Sequence, residues 1–264
     1  MENQDILYTK DGPIARITLN RPDKMNSYTI EMNDNFKRFI MNASKDKKIR
    51  VIIITGTGRA FCSGADVKAL AGKFDGADTD DMLTHVVRAR TTVVSLLQKC
   101  NKPVIAAING VAVGGGLDMA LACDIRIASD KARFAEVYVR RGLVPTSGGT
   151  YLLPRAIGID KALMMLWTGE MVDAGEAERI GLVTTVVPHE ELETTVLELA
   201  EKLAKGPPLA IQWDKRAVYD GLAMNLDESM KYAQAITKLL MHTKDHQEGA
   251  QAFVEKREPV FRGE

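Results

Sequence analysis

The sequence has no surplus of either charge. Its 264 residues include 35 lysines and arginines against 35 aspartates and glutamates. Because proteins that bind nucleic acid or membrane surfaces carry a basic excess, this balance argues against both classes. We therefore expect no nucleic-acid and no membrane partner, although a local basic pocket for an anionic ligand stays possible.

Cysteines and long apolar runs are scarce as well. The three cysteines, Cys62, Cys100 and Cys123, lie in or beside apolar segments, and their odd number and spacing favour buried, reduced thiols over metal ligands. No apolar run approaches the roughly 20 residues of a membrane span. The first residues lack the basic and apolar segments of a secretory signal. A soluble, cytoplasmic protein without a metal site is expected.

The chain is rich in β-branched runs that alternate with helical patterns. Residues 51–55 and Val104–Ile108 predict strands buried on both faces, and residues 124–128 predict a third. Helical patterns separate them, including residues 81–98 and a segment to about Ala43 that Ser27 is expected to cap. This alternation indicates an α/β layer architecture.

The clearest linker is Gly206-Pro207-Pro208. Beyond it, almost everything to Lys256 reads as helix. We expect an α/β core over residues 1–205 and a helical domain over residues 206–264.

Two of the strands lead into glycine-rich turns. The first turn contains Ser63-Gly64-Ala65-Asp66, and the second contains Gly114-Gly115-Gly116 ahead of an apolar helical run. Free N–H groups at a helix start favour an anion, so two such turns could direct two donors at one oxygen, as in an oxyanion hole. Glycines that only let a helix pack tightly on a sheet would give the same pattern.

These turns also carry a family resemblance. The segments Asn20-Arg21-Pro22-Asp23-Lys24-Met25-Asn26, Phe61-Cys62-Ser63-Gly64-Ala65-Asp66-Val67 and Asn109-Gly110 through Gly116-Leu117-Asp118 resemble the signature stretches of the enoyl-CoA hydratase/isomerase (crotonase) superfamily. Gly142-Leu143-Val144-Pro145, Gly148-Gly149-Thr150 and Phe253-Val254-Glu255-Lys256-Arg257 resemble later landmarks.

The resemblance implies a crotonase-like spiral of ββα repeats with a C-terminal helical trimerisation domain, assembled as a homotrimer or as a hexamer. It implies oxyanion-hole N–H groups at Ala65 and Gly115. It places CoA, as part of the substrate and with no separate cofactor, along a set of backbone positions and two residues of a neighbouring subunit. The backbone set is Lys24, Met25, Asn26, Ser63, Ala65, Asp66 and Val67, and the neighbouring subunit's residues correspond to Phe253 and Lys256.

The sequence departs from the family at the catalytic acids. Hydratases that it resembles place two glutamates at positions occupied here by Asp118 and Tyr138, and isomerases often place an aspartate where Thr146 stands. Asp118 is therefore the clear acid–base candidate, while a phenol is a poor base at neutral pH. Glu136 misses the family position by two residues, an offset that keeps it on the side of Tyr138 if the chain is extended.

The leading hypothesis is a hydratase that adds water to an unsaturated acyl-CoA, conjugated or cyclic substrates included, in fatty acid metabolism or aromatic degradation. A double-bond isomerase is the next hypothesis. A hydrolase or decarboxylase, with Tyr138 and Thr146 orienting a water or a carboxylate, uses the same scaffold. The non-enzymatic alternative is an acyl-CoA-binding protein that lacks the second acid.

Overall fold

The computed structural model describes residues 5–66 and 92–264. Most of the helix expected over residues 81–98, and the CoA-binding candidate Val67, lie outside these ranges. The mixed α/β architecture with a helical C-terminal region confirms the fold class expected from the sequence.

A six-stranded sheet forms the centre of the fold, in the order β1-β2-β3-β5-β7-β10. Its strands are β1 (Ile6–Asp11), β2 (Ile14–Leu19), β3 (Val51–Gly56), β5 (Val104–Ile108), β7 (Ile125–Ser129) and β10 (Thr185–Val187). The β1–β2 pair is antiparallel and all other neighbours are parallel.

The continuous apolar run of β3 is explained by cover on both faces of this sheet. Ile52 and Ile54 belong to one hydrophobic cluster and Val51 and Ile53 to a second, because successive side chains of a strand point to opposite faces. Helix α1 (Ile30–Lys45) covers the first face with Met32, Phe36 and Ile40, and helix α7 (Leu192–Lys205) covers the second with Leu192, Val196 and Ala200.

A smaller sheet, in the order β4-β6-β8-β9, lies beside the first. Its strands are β4 (Ala60–Cys62), β6 (Val111–Val113), β8 (Arg133–Ala135) and β9 (Val172–Asp173). The first three are parallel neighbours, so their carboxyl ends lie at one edge.

The helices are as follows: α1 (Ile30–Lys45), α2 (Val93–Lys99), α3 (Gly115–Ala122), α4 (Gly149–Ile157), α5 (Ile159–Thr168), α6 (Ala174–Arg179), α7 (Leu192–Lys205), α8 (Pro208–Gly221), α9 (Leu226–Leu240) and α10 (Lys244–Glu255). Short 3₁₀ helices span Pro22–Lys24, Val137–Arg141 and His189–Glu191.

The capping residue of α1 is Thr29, and the expectation of Ser27 was wrong. The side chain of Thr29 accepts a hydrogen bond from the N–H of Met32. Tyr28 forms a parallel bridge with Ala65, which holds the chain extended and delays the helix by two residues.

The C-terminal helices are joined to the sheet by a buried polar contact. Nζ of Lys215 in α8 lies 2.8 Å from Oδ2 of Asp124, and the phenol of Tyr219 donates to Oδ1 of Asp124 at 2.9 Å. Large apolar side chains of α8 to α10 remain exposed, among them Leu226 and Phe253. The domain division at residue 205 and the trimerisation role of these helices stay predictions.

All three cysteines are free thiols in buried positions, as the sequence suggested. Among the described residues, no helix is both long and apolar enough to cross a bilayer.

Candidate active site

Three parallel strands bring the candidate residues to one edge of the smaller sheet. Strand β4 leads into the turn with Ala65, β6 leads into α3 with Gly115 and Asp118, and β8 leads to Glu136 and Tyr138. Since these strands run side by side in the same direction, the three segments lie next to one another.

The backbone around Ala65 leaves its N–H pointing away from its neighbouring segment. In the bridge with Tyr28, the N–H of Tyr28 donates to the carbonyl of Gly64 and the N–H of Asp66 donates to the carbonyl of Tyr28, both at 2.9 Å. This pattern uses the groups on either side of Ala65 and turns the N–H of Ala65 the other way. Ala65 is partly exposed, so a ligand can approach it.

The second candidate donor, Gly115, is the first residue of α3, where an N–H has no intrahelical partner. Gly64 lies directly against it: a Cβ on Gly64, whose φ is +90°, would lie 3.4 Å from the nitrogen of Gly115. The next residue, Gly116, packs so closely on β4 that a Cβ there would collide with the carbonyl of Cys62. The packing reading of the glycine triplet is therefore confirmed at Gly116, and the oxyanion donor at Gly115 stays a prediction.

Asp118 is buried in the first turn of α3. The phenol of Tyr138 donates a 2.7 Å hydrogen bond to its Oδ2, and the backbone N–H of Gly149 donates to the same carboxyl group. Burial raises the pKa of Asp118 to about 6, and the hydrogen bonds from Tyr138 and from the backbone of Gly149 oppose that rise. Burial and the neighbouring Asp118 also raise the pKa of Tyr138, which keeps it a phenol.

Glu136 is a second candidate acid, which the sequence analysis placed two residues away from the family position. Its carboxyl group is fully buried, and neither oxygen has a hydrogen-bond partner among the described residues. Burial first, and then the charge of Asp118, raise its pKa to about 9. The available signal was the two-residue offset from Tyr138, but its premise of an extended chain was wrong, because Glu136 (φ −100°, ψ 87°) directly precedes the 3₁₀ helix that contains Tyr138.

The two carboxyl groups lie against the same point of α4. A Cβ on Gly149 would collide with Oδ1 of Asp118 and would come within 3.1 Å of Oε1 of Glu136. Glycine at this position therefore leaves room for both acids. Burial raises the pKa of both acids, and the charge of Asp118 raises that of Glu136 further, an arrangement suited to a base and an acid acting together.

Thr146 is not brought into this group. Its side chain is exposed, whereas the next residue, Ser147, lines a cavity beside Gly115. The neighbours of Asp118 are Tyr138 and Glu136 instead.

The two segments expected along CoA are adjacent. The N–H of Ser63 donates to the carbonyl of Met25 at 3.0 Å, and its hydroxyl lies 3.5 Å from the carbonyl of Lys24. The buried amide of Asn26 donates to the carbonyls of Thr57 and Ala60, and its N–H donates to the carbonyl of Arg21. Asn26 therefore braces the turn from a fully buried position.

Two further contacts concern the expected CoA positions. Asp66 pairs with Arg21 at 3.1 Å. Phe253 and Lys256, expected to act on a neighbouring subunit, are exposed at the end of α10. No group of three or more histidines, cysteines, aspartates or glutamates within residues 5–66 and 92–264 could hold a metal ion.

Comparison with known proteins gives concordant matches along the chain. A family model described as enoyl-CoA hydratase/isomerase matches residues 9–264. The (E)-benzylidenesuccinyl-CoA hydratase of Thauera aromatica is 41% identical over 251 residues, covering 95% of this chain and 96% of that protein. The short-chain-enoyl-CoA hydratase of Clostridium acetobutylicum is 34% identical, covering 97% of each. The crystal structure of an enoyl-CoA hydratase from Bacillus anthracis superimposes with a TM-score of 0.91 at 36% identity, covering 99% of this chain and 100% of that one.

Proposed function

Because the chain belongs to the enoyl-CoA hydratase/isomerase family, we propose that this hydratase-like acyl-CoA enzyme adds water to an unsaturated acyl-CoA through Asp118 and Glu136. The observation that carries the proposal is the pair of buried carboxyl groups that pack together against Gly149. A hydratase has to remove one proton from water and deliver one proton to carbon, and two acids with separated pKa values suit those two tasks.

The thioester oxygen is the point where negative charge develops. In the proposed mechanism the N–H groups of Ala65 and Gly115 donate to this oxygen as the enolate forms. Such donors stabilise a developing oxyanion without reorganising during the reaction. The N-terminal end of α3 adds a favourable dipole at the same place.

The proton transfers follow from the protonation states of the acids. Asp118, ionised at neutral pH, accepts a proton from water as the water oxygen bonds to the β-carbon and the electron pair of the double bond moves into the enolate. Glu136, neutral at the same pH, gives its proton to the α-carbon as the enolate collapses to the thioester. Asp118 then holds a proton and Glu136 a charge, and transfer between these neighbours restores the starting state.

Tyr138 is a positioning residue in this mechanism. Its single hydroxyl proton is donated to Oδ2 of Asp118, which holds the carboxylate in place for the reaction. Thr146 has no role in it, because its side chain is exposed.

We further propose that conjugated or cyclic acyl groups are among the substrates and that CoA enters only as part of the substrate. The 41% identity to a hydratase named for benzylidenesuccinyl-CoA supports the first point. A trimer or hexamer, in which Phe253 and Lys256 reach a neighbouring subunit's CoA site, agrees with their exposure. Light scattering after size exclusion tests the assembly, and a monomer would contradict it.

The reaction is tested by mass spectrometry on crotonyl-, 3-enoyl- and cyclic dienoyl-CoA with wild type, Asp118→Asn and Glu136→Gln. We expect a mass gain of one water with wild type, and a loss of at least about a hundredfold in rate for each variant, as for removal of a general acid or base. A moved double bond without a mass gain would identify an isomerase. Release of free CoA would identify a hydrolase, and full activity of Glu136→Gln would remove that residue from the mechanism.

A further inference from the structure

A cavity of about 150 Å³ opens beside Gly115, where the proposed mechanism places the thioester oxygen. Pockets for plain hydrocarbon chains are lined mainly by apolar side chains. Here polar side chains contribute much of the described lining, together with Val93, Val94 and Met119; they are Tyr28, Asn33, Lys37, Thr92 and Ser147.

Helix α1 supplies the cation of this cavity. Asn33 and Lys37 are four residues apart and therefore lie on one face of the helix, and both line the cavity. Lys37 is the one charged side chain in the part of the lining that the structure describes. Its ammonium group is 3.1 Å from Oδ1 of Asp34, a carboxylate that is two-thirds exposed. Exposed pairs of this kind contribute little stability, so a better placed anion can replace Asp34.

Hydroxyl groups complete the polar wall between Lys37 and Gly115. The phenol of Tyr28 lies so close to Gly115 that a Cβ there would collide with it. Ser147 forms a hydrogen bond with this phenol, and burial raises the pKa of Tyr28 above its ordinary value. Tyr28 therefore stays a neutral donor beside the acyl group.

We propose that this cavity binds a carboxylate carried by the acyl group, so that the preferred substrates are CoA monothioesters of unsaturated dicarboxylic acids. The inference rests on the proposed function, which places the thioester at Gly115. Lys37 would pair with the distal carboxylate, with Asn33 as a further donor. An aliphatic chain end would instead place a hydrocarbon against an ammonium group and gain no compensating hydrogen bond.

Binding of unreactive saturated thioesters tests this independently of turnover. Calorimetry would compare adipyl-CoA, which has a distal carboxylate, with hexanoyl-CoA, which has none, on wild type and Lys37→Met. We expect wild type to prefer adipyl-CoA by roughly tenfold to a hundredfold, the range for a hydrogen bond between charged groups. Lys37→Met should abolish the preference for adipyl-CoA, and Lys37→Arg should keep part of it.

A matched control is Lys45→Met, which removes a charge from an exposed position of the same helix outside the cavity lining. It should leave the preference intact. Equal binding of the two thioesters by wild type, or an unchanged preference in Lys37→Met, would overturn the carboxylate site. Failure of the proposed hydration is a separate result, since it would appear as an absent mass gain while the binding preference remained measurable.

Discussion

The phenol of Tyr138 donates a 2.7 Å hydrogen bond to Oδ2 of Asp118. A tyrosine at the position where the resembled hydratases carry a glutamate therefore anchors the remaining acid. The second carboxyl group comes from Glu136, two residues earlier, which is fully buried beside the same aspartate. The site therefore contains two carboxyl groups, and the second lies two residues earlier in the sequence than in the resembled hydratases.

Replacing Tyr138 by phenylalanine should shift the acid limb of the pH–rate profile upward. The hydrogen bond lowers the pKa of Asp118 against the effect of burial, so its loss raises that pKa. A hydrogen bond to a charged group contributes about 1.5–3 kcal/mol, which corresponds to a shift of about one to two pH units. The measurement is kcat between about pH 5 and about pH 9.

Activity of the Tyr138→Phe variant should recover at alkaline pH, because Asp118 is ionised there without help. Equal loss at every pH would show instead that the hydroxyl takes part in the reaction. An unchanged acid limb would mean that the group titrating in turnover is not Asp118.

Glu136→Gln should increase stability at alkaline pH. Burial raises the pKa of Glu136 from an ordinary 4.5 to about 9, so between these values the folded protein holds a proton that the unfolded chain releases. Stability from this group is complete below about pH 4.5 and is lost as pH rises toward 9, at up to about 1.4 kcal/mol per pH unit. The variant removes that loss, which denaturant unfolding at about pH 6.5 and about pH 8.5 measures.

The pH range for this comparison lies above the titration of Asp118, whose raised pKa of about 6 affects stability mainly at lower pH. Glu201→Gln, at an exposed position of α7, is the matched control and should leave the pH dependence unchanged. Parallel pH profiles for wild type and Glu136→Gln would show that Glu136 is ionised in the folded protein.

The elements with strong periodicity were predictable from the sequence. The buried strands and the apolar face of α1, with Met32, Phe36 and Ile40, follow from local patterns because burial repeats at the period of each structure. The start of α1 was not predictable in this way. The bridge between Tyr28 and Ala65, 37 positions apart in sequence, decides it, and a local cap pattern contains no information about such a contact.

The same limit applies to the acids. Asp118 could be found because it lies two residues after the glycine triplet, at a position where the resembled family carries a catalytic acid. Glu136 could be recognised as a strong candidate acid only once the backbone after β8 was known. The case for it depends on the burial of its carboxyl group and on the proximity of Asp118 and Gly149. The spacing argument assumed an extended chain, whereas Tyr138 lies in a 3₁₀ helix, and only the packed structure showed that the carboxyl group of Glu136 has no hydrogen-bond partner among the described residues.

The oxyanion donor at Gly115 is tested by comparing Gly115→Pro with Gly115→Ala. Both variants add a Cβ that meets the phenol of Tyr28, so the steric change is shared. Proline is tolerated at the first position of a helix. Only proline removes the N–H. Loss of one oxyanion donor commonly costs about a hundredfold to a thousandfold in kcat. We therefore expect the proline variant to fall below the alanine variant by that factor, with similar melting temperatures. Equal rates in two folded variants would show that the enolate oxygen does not bind at Gly115, and both the hydration mechanism and the placement of the acyl group would have to change.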